Sequence, residues 1–247
     1  MASSRLPGKP LLEVEGLPMI EHVRRRALLC GRFANVVVAT CDDEIAAVVE
    51  AHGGNVVMTS RSHAAATDRV AEAMKSVECT HVVNVQGDEI LVLPSDLERM
   101  VSMIESEPNV PAWNAVARIE DGAELADHAA VKCAVSAAGR VLFCSRDFAA
   151  IPVNDAAGFE PIRRILGIIA YRRDFLERYA TLARTPLEIA EGIDQSRIVE
   201  HDIALRTVPF SKGYVGINEP REAEIARSCL TQDPVQRTVL QKVLVTA

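Results

Sequence analysis

The sequence predicts an α/β fold, in which helices cover both faces of a mostly parallel β-sheet and a smaller antiparallel or mixed sheet is inserted. Short β-branched segments alternate with helical patterns through the first 106 residues, as expected for parallel βαβ units. Hydrophobic residues make up 49% of the 247 residues but aromatic residues only 4%. Val, Ile, Leu and Ala must therefore form the core, as in parallel sheets. No repeat or low-complexity linker divides the chain, so we expect a single domain over residues 1–247.

The first half of the chain alternates helices and strands. Apolar residues at helical spacing predict a helix over residues 20–29. Further helices are predicted over residues 43–51, 67–76 and 94–106, and strands over residues 35–40, 55–58 and 80–85. Ligands bind beyond the carboxyl ends of the strands in such sheets. We therefore expect the loops at residues 40–43, 59–69 and 86–89 to gather at one rim.

The second half has the pattern of a mixed sheet. The turn at residues 137–139 (AAG) predicts an antiparallel pair of strands over residues 131–135 and 140–145. The other predicted elements are strands over residues 113–118, 164–171 and 208–215 and helices over residues 173–183, 186–200 and 220–230, the last of which closes the chain.

Charge and cysteine content exclude several classes of protein. The net charge is −7, and no basic stripe is present that could bind nucleic acid. No run of about 20 apolar residues predicts a membrane span. The six cysteines form no C-x-x-C pair and no His lies at zinc-ligand spacing to them. We interpret them as buried thiols of a protein in a reducing compartment, the cytoplasm.

The N-terminal segment over residues 3–10 has the sequence SSRLPGKP and could bind a triphosphate. Gly8 would allow the backbone to approach a ligand closely. Arg5 and Lys9 bring two cations to one short loop, where phosphate oxygens could accept hydrogen bonds from them. A solvated tail without a ligand is the alternative interpretation.

Asp88 is the main candidate for catalysis. It follows Gly87 and a predicted buried strand, at the rim where sheets of this kind bind nucleotides. A carboxylate at that place could hold Mg²⁺ against triphosphate oxygens. The alternative is an aspartate that only caps a turn.

Taken in order, these segments resemble the 3-deoxy-manno-octulosonate (KDO) cytidylyltransferases, or CMP-KDO synthetases, over nearly the whole chain. The resemblance is carried by SSRLPGKP at 3–10, VATCDD at 38–43, MTS at 58–60, His63, TDR at 67–69, NVQGDE at 84–89, VK at 131–132, SR at 145–146 and PLE at 186–188. It implies a Rossmann-like fold of the nucleotide-diphospho-sugar transferase type and a homodimer. It also implies CTP and Mg²⁺ as partners, transfer of CMP to a small acidic acceptor in lipopolysaccharide biosynthesis, and release of pyrophosphate.

The resemblance also implies roles for individual residues. Catalysis would depend on Arg5, Lys9 and Asp88, and the metal would be bound by Asp88 and Asn218. The residues expected to contact CTP are Ser4, Arg5, Gly8, Lys9, Thr67, Asp68, Arg69 and Gln86. Those expected to contact the acceptor are Gln86, Lys132, Arg146, Arg164, Asp194 and Gln195. Purely structural alternatives remain, in which Thr67 caps a helix, Arg69 lies on the surface and Lys132 extends from an edge strand into solvent.

The sequence departs from the family pattern mainly on the acceptor side. Asn218 replaces an aspartate, Ile165 a histidine and Asp194 a glutamate, while residues 65–66 (AA) replace Ser-Gly. KDO is therefore the leading acceptor. One alternative is the same reaction with a phosphonate acceptor such as phosphonoformate. Others are a nucleotidyltransferase that uses another base or an acceptor such as a sugar-1-phosphate, and an inactive homologue that only binds nucleotide. Family members open with a strand and Ile-Pro-Ala-Arg before the segment at 3–10, so we expect the central strand to be missing from this sequence.

Overall fold

A six-stranded mixed sheet lies at the centre of the computed structural model, which describes residues 8–63, 65–151 and 159–246. The strands in these ranges are β1 (Glu13–Val14), β2 (Leu17–Pro18), β3 (Val37–Thr40), β4 (Asn55–Met58), β5 (His81–Val85), β6 (Ala112–Arg118), β7 (Lys132–Val135), β8 (Val141–Ser145), β9 (Ile162–Arg172) and β10 (Leu205–Pro209). The helices are α1 (Met19–Cys30), α2 (Asp43–Ala51), α3 (Ala66–Ala73), α4 (Pro94–Ser106), α5 (Arg173–Tyr179), α6 (Pro186–Glu191), α7 (Asp194–Glu200), α8 (Pro220–Gln232) and α9 (Pro234–Val245).

The long strand β9 organises this sheet. It pairs antiparallel with β5, β6 and β7, and β8 pairs antiparallel with β7. β10 pairs parallel with β6, so β5, β6 and β10 run in one direction and β9 runs against them. The predicted α/β fold with an antiparallel insertion is confirmed, and its antiparallel part includes β9 as well as the β7–β8 hairpin.

Helices bury both faces of the sheet, as predicted. Successive side chains of a strand point to opposite faces. In β9, Ile168 and Ala170 belong to the core cluster that contains residues of α1 and α4. Ile169 and Tyr171 belong to the cluster that contains residues of α3, α5 and α7. Only strands covered on both sides carry such a continuous apolar run.

The parallel pair β3–β4 forms a separate small sheet. β3 pairs with β4 and β5 with β9, and within the described ranges no other strand pairs with β3 or β5. Residues of β3 and β5 line one cavity of about 900 Å³, together with apolar residues of α1 and α4. The central strand of the family was expected to be missing from this sequence, and in the described ranges no strand lies between β3 and β5.

Three predicted elements need correction. The helix predicted over 186–200 is two helices, because Gly192 adopts φ +65 and ends α6, and the break places Asp194 at the start of α7. The strand predicted over 208–215 is β10 at Leu205–Pro209, after which the chain leaves the sheet. Helix α8 does not close the chain, because α9 follows it, with the side chain of Asp233 accepting hydrogen bonds from the first backbone N–H groups of α9.

The hairpin β1–β2 was not predicted. Glu15 and Gly16 connect its strands, both with positive φ, as in the two-residue turns that match the twist of a hairpin. Strands of two residues are too short for a periodic pattern. Among the helices of the described residues, none is long and apolar enough to cross a membrane.

Candidate active site

A cavity of about 370 Å³ opens beyond the carboxyl end of β5, at the rim where the sequence predicted a ligand site. The loop after β5, the start of α3, the first half of β9, the start of α7 and the loop before α8 all contribute to its wall. Predicted site residues that line it are Thr67, Gln86, Asp88, Arg146, Arg164, Asp194, Gln195 and Asn218. Residues 127 positions apart in sequence, such as Thr67 and Asp194, are thus brought together.

One cation position lies at the edge of this cavity. The Lys9 ammonium donates to Oδ2 of Asp88 at 2.9 Å and to Oδ1 of Asn218 at 3.1 Å. Gly8, with φ +70, begins the short 3-10 turn Lys9–Leu11, and its carbonyl accepts a hydrogen bond from Leu11. A left-handed residue at this point favours glycine. The structure therefore brings together the three predicted residues Lys9, Asp88 and Asn218.

The loop around Asp88 is fixed by close contacts between backbones. Ile217 donates its backbone N–H to the carbonyl of Asp88 at 3.3 Å. A Cβ at Gly216 would lie 3.4 Å from the same carbonyl oxygen, so the two loops approach tightly. The backbone N–H groups of Asn218 and Glu219 donate to the carboxylate of Glu222. Asn218 is thus held at the start of α8 facing Asp88.

Gln86 and Glu89 surround Gly167. The backbone N–H of Gly167 donates to Oε1 of Glu89 at 2.7 Å, and its carbonyl accepts from the backbone of Gln86 at 2.9 Å. A Cβ at Gly167 would lie 2.8 Å from the side-chain oxygen of each. Any larger residue there would force the ends of both side chains to shift. Burial raises the pKa of Glu89 to about 7, and the neighbouring Asp88 carboxylate adds to the rise.

The start of α3 is held by Asp194. The backbone N–H and the hydroxyl of Thr67 donate to Oδ2 of Asp194 at 3.4 and 3.1 Å. The hydroxyl of Thr67 also lies 3.0 Å from that of Tyr171. Burial raises the pKa of Asp194. The alternative in which Thr67 caps α3 is wrong, because the N-cap position is Ala65.

Asp68 and Arg69 contact different parts of the structure. Arg69 is buried and donates to the hydroxyl of Thr59 and to the carbonyl of Ser60, so the alternative of a surface arginine is wrong. Asp68 accepts from Arg197 at 3.4 Å. Arg197 also donates its Nε to Glu188 at 2.8 Å, in a pair that is almost fully buried.

The three basic residues predicted to contact the acceptor are placed differently. The fully buried ammonium of Lys132 donates to the carbonyls of Asp127, Ala130 and Arg146, so it does not extend into solvent, and it does not line the 370 Å³ cavity. Arg146 donates to the carbonyls of Glu191 and His128, both at 2.9 Å, and lines the cavity. Arg164 also lines it, 3.4 Å from Glu124.

Gln195, a buried residue of the cavity wall, donates its Nε2 to Oδ1 of Asn114 at 2.9 Å. Asn114, Tyr171 and Glu89 also belong to this region but were not predicted from the sequence. A polar residue in the otherwise apolar segment at 112–117 was the only available signal for Asn114.

Two predicted residues, Ser4 and Arg5, lie outside the described residues. Within the described ranges, no group of three or more His, Cys, Asp or Glu side chains could hold a metal ion. A metal at this site would therefore depend on few protein oxygens. Asp88 and Asn218 are the pair that the structure brings to a common cation.

Comparisons with known proteins agree with this geometry. A family model described as Cytidylyltransferase matches residues 1–205. The 3-deoxy-manno-octulosonate cytidylyltransferase of Escherichia coli is 37% identical, over 94% of this chain and 93% of that protein. The protein of the same name from Geobacter metallireducens is 34% identical, over 90% and 91%.

A solved structure is equally similar. It is described as CMP:2-keto-3-deoxy-manno-octonic acid synthetase complexed with CTP, and it matches with a TM-score of 0.85 and 36% identity, over 93% of this chain and 94% of that one. The fold, together with a phosphate-compatible cation position at the rim of the sheet, defines a nucleotidyltransferase. The chain belongs to the cytidylyltransferase family, which confirms the resemblance inferred from the sequence.

Proposed function

We propose that this cytidylyltransferase transfers CMP from CTP to 3-deoxy-manno-octulosonate and releases pyrophosphate. The observation that carries the proposal is the meeting of Asp88, Asn218 and Lys9 at a cavity that Arg146 and Arg164 also line. A triphosphate needs cations at one side of the site. A sugar acid needs both cations and neutral hydrogen-bonding groups at the other.

The nucleotide would bind between the N-terminal segment and α3. Lys9 would exchange its contacts with Asp88 and Asn218 for the phosphates, with Ser4, Arg5 and Gly8 beside it. Thr67, Asp68, Arg69 and Gln86 would surround the base and ribose. Arg69 supports this arrangement by fastening the loop at 59–60 to α3, so that the small residues before Thr67 can approach the base.

Mg²⁺ would be held by Asp88 and Asn218. The fit is supported by the Lys9 ammonium, a cation that lies between one carboxylate and one amide oxygen, where the metal ion would bind. Oxygen ligands are those that Mg²⁺ prefers, and it usually keeps water and substrate phosphates in its remaining positions. Bound there, the ion would neutralise charge on the triphosphate oxygens.

The reaction is an in-line displacement at the α-phosphorus of CTP. The attacking acceptor hydroxyl forms the new P–O bond and loses its proton to solvent, while the bond to the bridging oxygen breaks and pyrophosphate leaves. Lys9, with Arg5, would stabilise charge on the phosphates as this bond breaks. Arg146 and Arg164 would hold the acceptor carboxylate, and no covalent intermediate on the protein is required.

The acceptor side favours a sugar acid over a phosphonate. Phosphonoformate would need many cations and few other partners. Lys132, which would contribute one of these cations, has its three N–H groups directed at carbonyls. We therefore assign Lys132 a positioning role, because it fastens the backbone of Arg146, rather than direct contact with the acceptor.

Pyrophosphate release tests the function. Each nucleoside triphosphate is paired with KDO, phosphonoformate or a sugar-1-phosphate in the presence of Mg²⁺. Release with CTP and KDO alone is the expected result. Release only with phosphonoformate would replace the acceptor, and no release with any pair would favour an inactive nucleotide-binding protein.

A homodimer acting in the cytoplasm, as the sequence led us to expect, completes the proposal. Light scattering at micromolar concentration checks the assembly, and a mass equal to one chain would contradict it.

A further inference from the structure

The segment that follows Asp88 and Glu89 is buried but belongs to no helix or strand. Residues 90–93 are all buried and connect β5 to α4. A buried backbone carbonyl needs a hydrogen-bond partner, and outside a β-ladder a side chain can supply one. Two neighbouring carbonyls of this segment are held in that way, each by a fully buried side chain.

One of these side chains belongs to α9 and the other to α1. Gln236 of α9 donates its Nε2 to the carbonyl of Leu91 at 2.6 Å, and Arg26 of α1 donates its Nη1 to that of Val92 at 2.9 Å. A carbonyl only accepts hydrogen bonds, so the Gln236 atom that faces Leu91 must be nitrogen. Both side chains are fully buried, so solvent does not compete for these bonds.

The start of α9 also holds the loop that carries Asn218. Oδ1 of Asp233 accepts hydrogen bonds from the first backbone N–H groups of α9. Its Oδ2 accepts one from the Tyr214 hydroxyl at 3.2 Å and one from the Lys212 ammonium at 3.4 Å. Tyr214 lines the 370 Å³ cavity together with Asn218. One carboxylate thus ties this loop to the helix that also holds the segment after Asp88.

The two loops held by α9 meet at the proposed metal site. Ile217 donates its backbone N–H to the carbonyl of Asp88 at 3.3 Å, and Asp88 and Asn218 both contact the Lys9 ammonium. Mg²⁺ demands nearly octahedral geometry with ligand distances of about 2.0–2.1 Å. The oxygens of Asp88 and Asn218 can therefore share one ion only if the two loops keep a fixed spacing.

We propose that the start of α9 positions the metal site, with Gln236 and Asp233 holding the loops of Asp88 and Asn218 at the spacing that Mg²⁺ requires. Neither positioning residue lines the cavity. The region matched by the cytidylyltransferase family model ends at residue 205, so α9 lies outside it. The inference rests on the proposed function in one respect, namely that Asp88 and Asn218 bind the metal ion.

Hydrogen exchange at the Ile217 amide tests the positioning, because this N–H joins the two loops. Exchange is followed by NMR in the full chain without ligands. In Gln236→Met and in Asp233→Ser we expect exchange at Ile217 to be about 5-fold faster or more, because each variant lacks one hydrogen bond that local opening would otherwise have to break. Serine still caps a helix but lacks the oxygen that accepts from Tyr214.

Ile104→Val is the control for a general loss of stability. It removes one buried methyl group near the C-terminal end of α4, whereas the segment after Asp88 enters α4 at the other end. A general loss of stability speeds exchange only at amides that exchange through global unfolding. Ile217 should therefore keep the parent rate in this variant.

Binding of Mn²⁺, which favours the same oxygen ligands as Mg²⁺, measures the metal site directly. Electron paramagnetic resonance of free Mn²⁺ gives Kd without substrates, and the binding that is lost in Asp88→Asn defines the site. We expect Kd to rise about 10-fold in Gln236→Met and in Asp233→Ser, as is usual when groups behind metal ligands are removed. Thr238→Val, which removes a hydrogen bond on the exposed side of α9, should keep the parent Kd.

A further variant keeps the test decisive even if Gln236→Met fails to fold. Tyr214→Phe breaks the contact with Asp233 from the other side and leaves the cap of α9 intact, so it should raise Kd as Asp233→Ser does. The two changes together should raise Kd no further than the larger single effect, since they remove the same hydrogen bond.

Several outcomes would overturn the inference. They are an Ile217 exchange rate that stays at the parent value in both α9 variants or rises equally in Ile104→Val, a parent Kd for Mn²⁺ in both α9 variants, and a parent protein that binds no Mn²⁺. None of these measurements requires turnover. A protein whose α9 variants bind Mn²⁺ more weakly but which releases no pyrophosphate would therefore refute the proposed function and leave this inference standing.

Discussion

The Lys9 ammonium lies 2.9 Å from the carboxylate of Asp88 and 3.1 Å from the amide oxygen of Asn218. One charged and one neutral oxygen therefore contact the same cation. Asn218 contributes a ligand atom but no charge. The affinity of this position for a divalent ion should therefore be limited by residue 218.

Asn218→Asp should increase the affinity for Mg²⁺. A second carboxylate at this position adds attraction for a divalent ion, and we expect the Mg²⁺ concentration at half-maximal activity to fall about 3- to 10-fold. Titration of pyrophosphate release with Mg²⁺ measures it. Asn218→Ala, which removes the oxygen, should shift the midpoint in the opposite direction, and identical midpoints in all three proteins would contradict the assignment.

Asp88→Asn should reduce kcat by about 100-fold or more, because it removes the carboxylate that holds charge-neutralising cations at the phosphates. Pyrophosphate release at saturating CTP and acceptor measures the loss. Asp43→Asn is the matched control, since the Asp43 side chain is 86% exposed and lies outside the cavity. Activity in Asp88→Asn equal to that of the control would remove Asp88 from the metal site.

Gly167→Ala should damage the site without a change of charge. The new Cβ would lie 2.8 Å from the side-chain oxygens of Gln86 and Glu89, so both must move, and we expect kcat/KM to fall about 10-fold or more. Gly122→Ala is the control, because its Cβ would meet only Phe159, at an ordinary 3.5 Å. Equal kinetics in the two variants would show that the approach of β9 to these side chains is not required.

Arg197→Met should destabilise the fold. Arg197 and Glu188 form a buried ion pair, and its loss leaves the buried Glu188 with only the half-exposed Arg184 as a cationic partner. We therefore expect a cost of about 3 kcal/mol, at the lower end of the range for a broken buried pair. Urea unfolding measures it. Arg206→Met, which breaks the more exposed pair with Glu107, should cost about 1 kcal/mol or less. A smaller effect for Arg197 than for Arg206 would contradict the prediction.

His22 should make stability depend on pH. Burial lowers its pKa from 6.5 to about 4, while its Nε2 lies 2.7 Å from the carbonyl of Val14. Between these values the unfolded chain binds more protons than the folded one, so stability falls as the pH drops from 6.5 to 4, by about 3 kcal/mol at most. Urea unfolding across this range should show a shallower pH dependence for His22→Gln, and parallel curves would argue against the effect.

Local sequence signals predicted where several helices and strands begin and end. The bounds of α2, β4 and α4 agree with the prediction, because Asp42 caps α2, Gly53 and Gly54 end it, and Pro94 opens α4. The position of Asp88 was also predictable, since it follows a strand whose carboxyl end must lie at the rim. Such signals act over a few residues and need no knowledge of the rest of the molecule.

Contacts between distant segments were beyond such reasoning. Asn114 and Gln195 are 81 residues apart, and nothing in either neighbourhood indicates the other. A lysine in the middle of a strand was recognisable as unusual, but the three carbonyls that surround Lys132 come from the folded loops around it. The break between α6 and α7 was missed because the apolar spacing continues across Gly192.

The separate sheet β3–β4 has a consequence for motion. In the described residues no β-ladder joins it to the central sheet, so the segment from Val37 to Met58 should open with a lower free energy than β6 and β9, as a cooperative unit of its own. Thr59, directly after β4, accepts a hydrogen bond from Arg69. A nucleotide held by Arg69 would thus slow hydrogen–deuterium exchange in a region that lies largely outside the cavity.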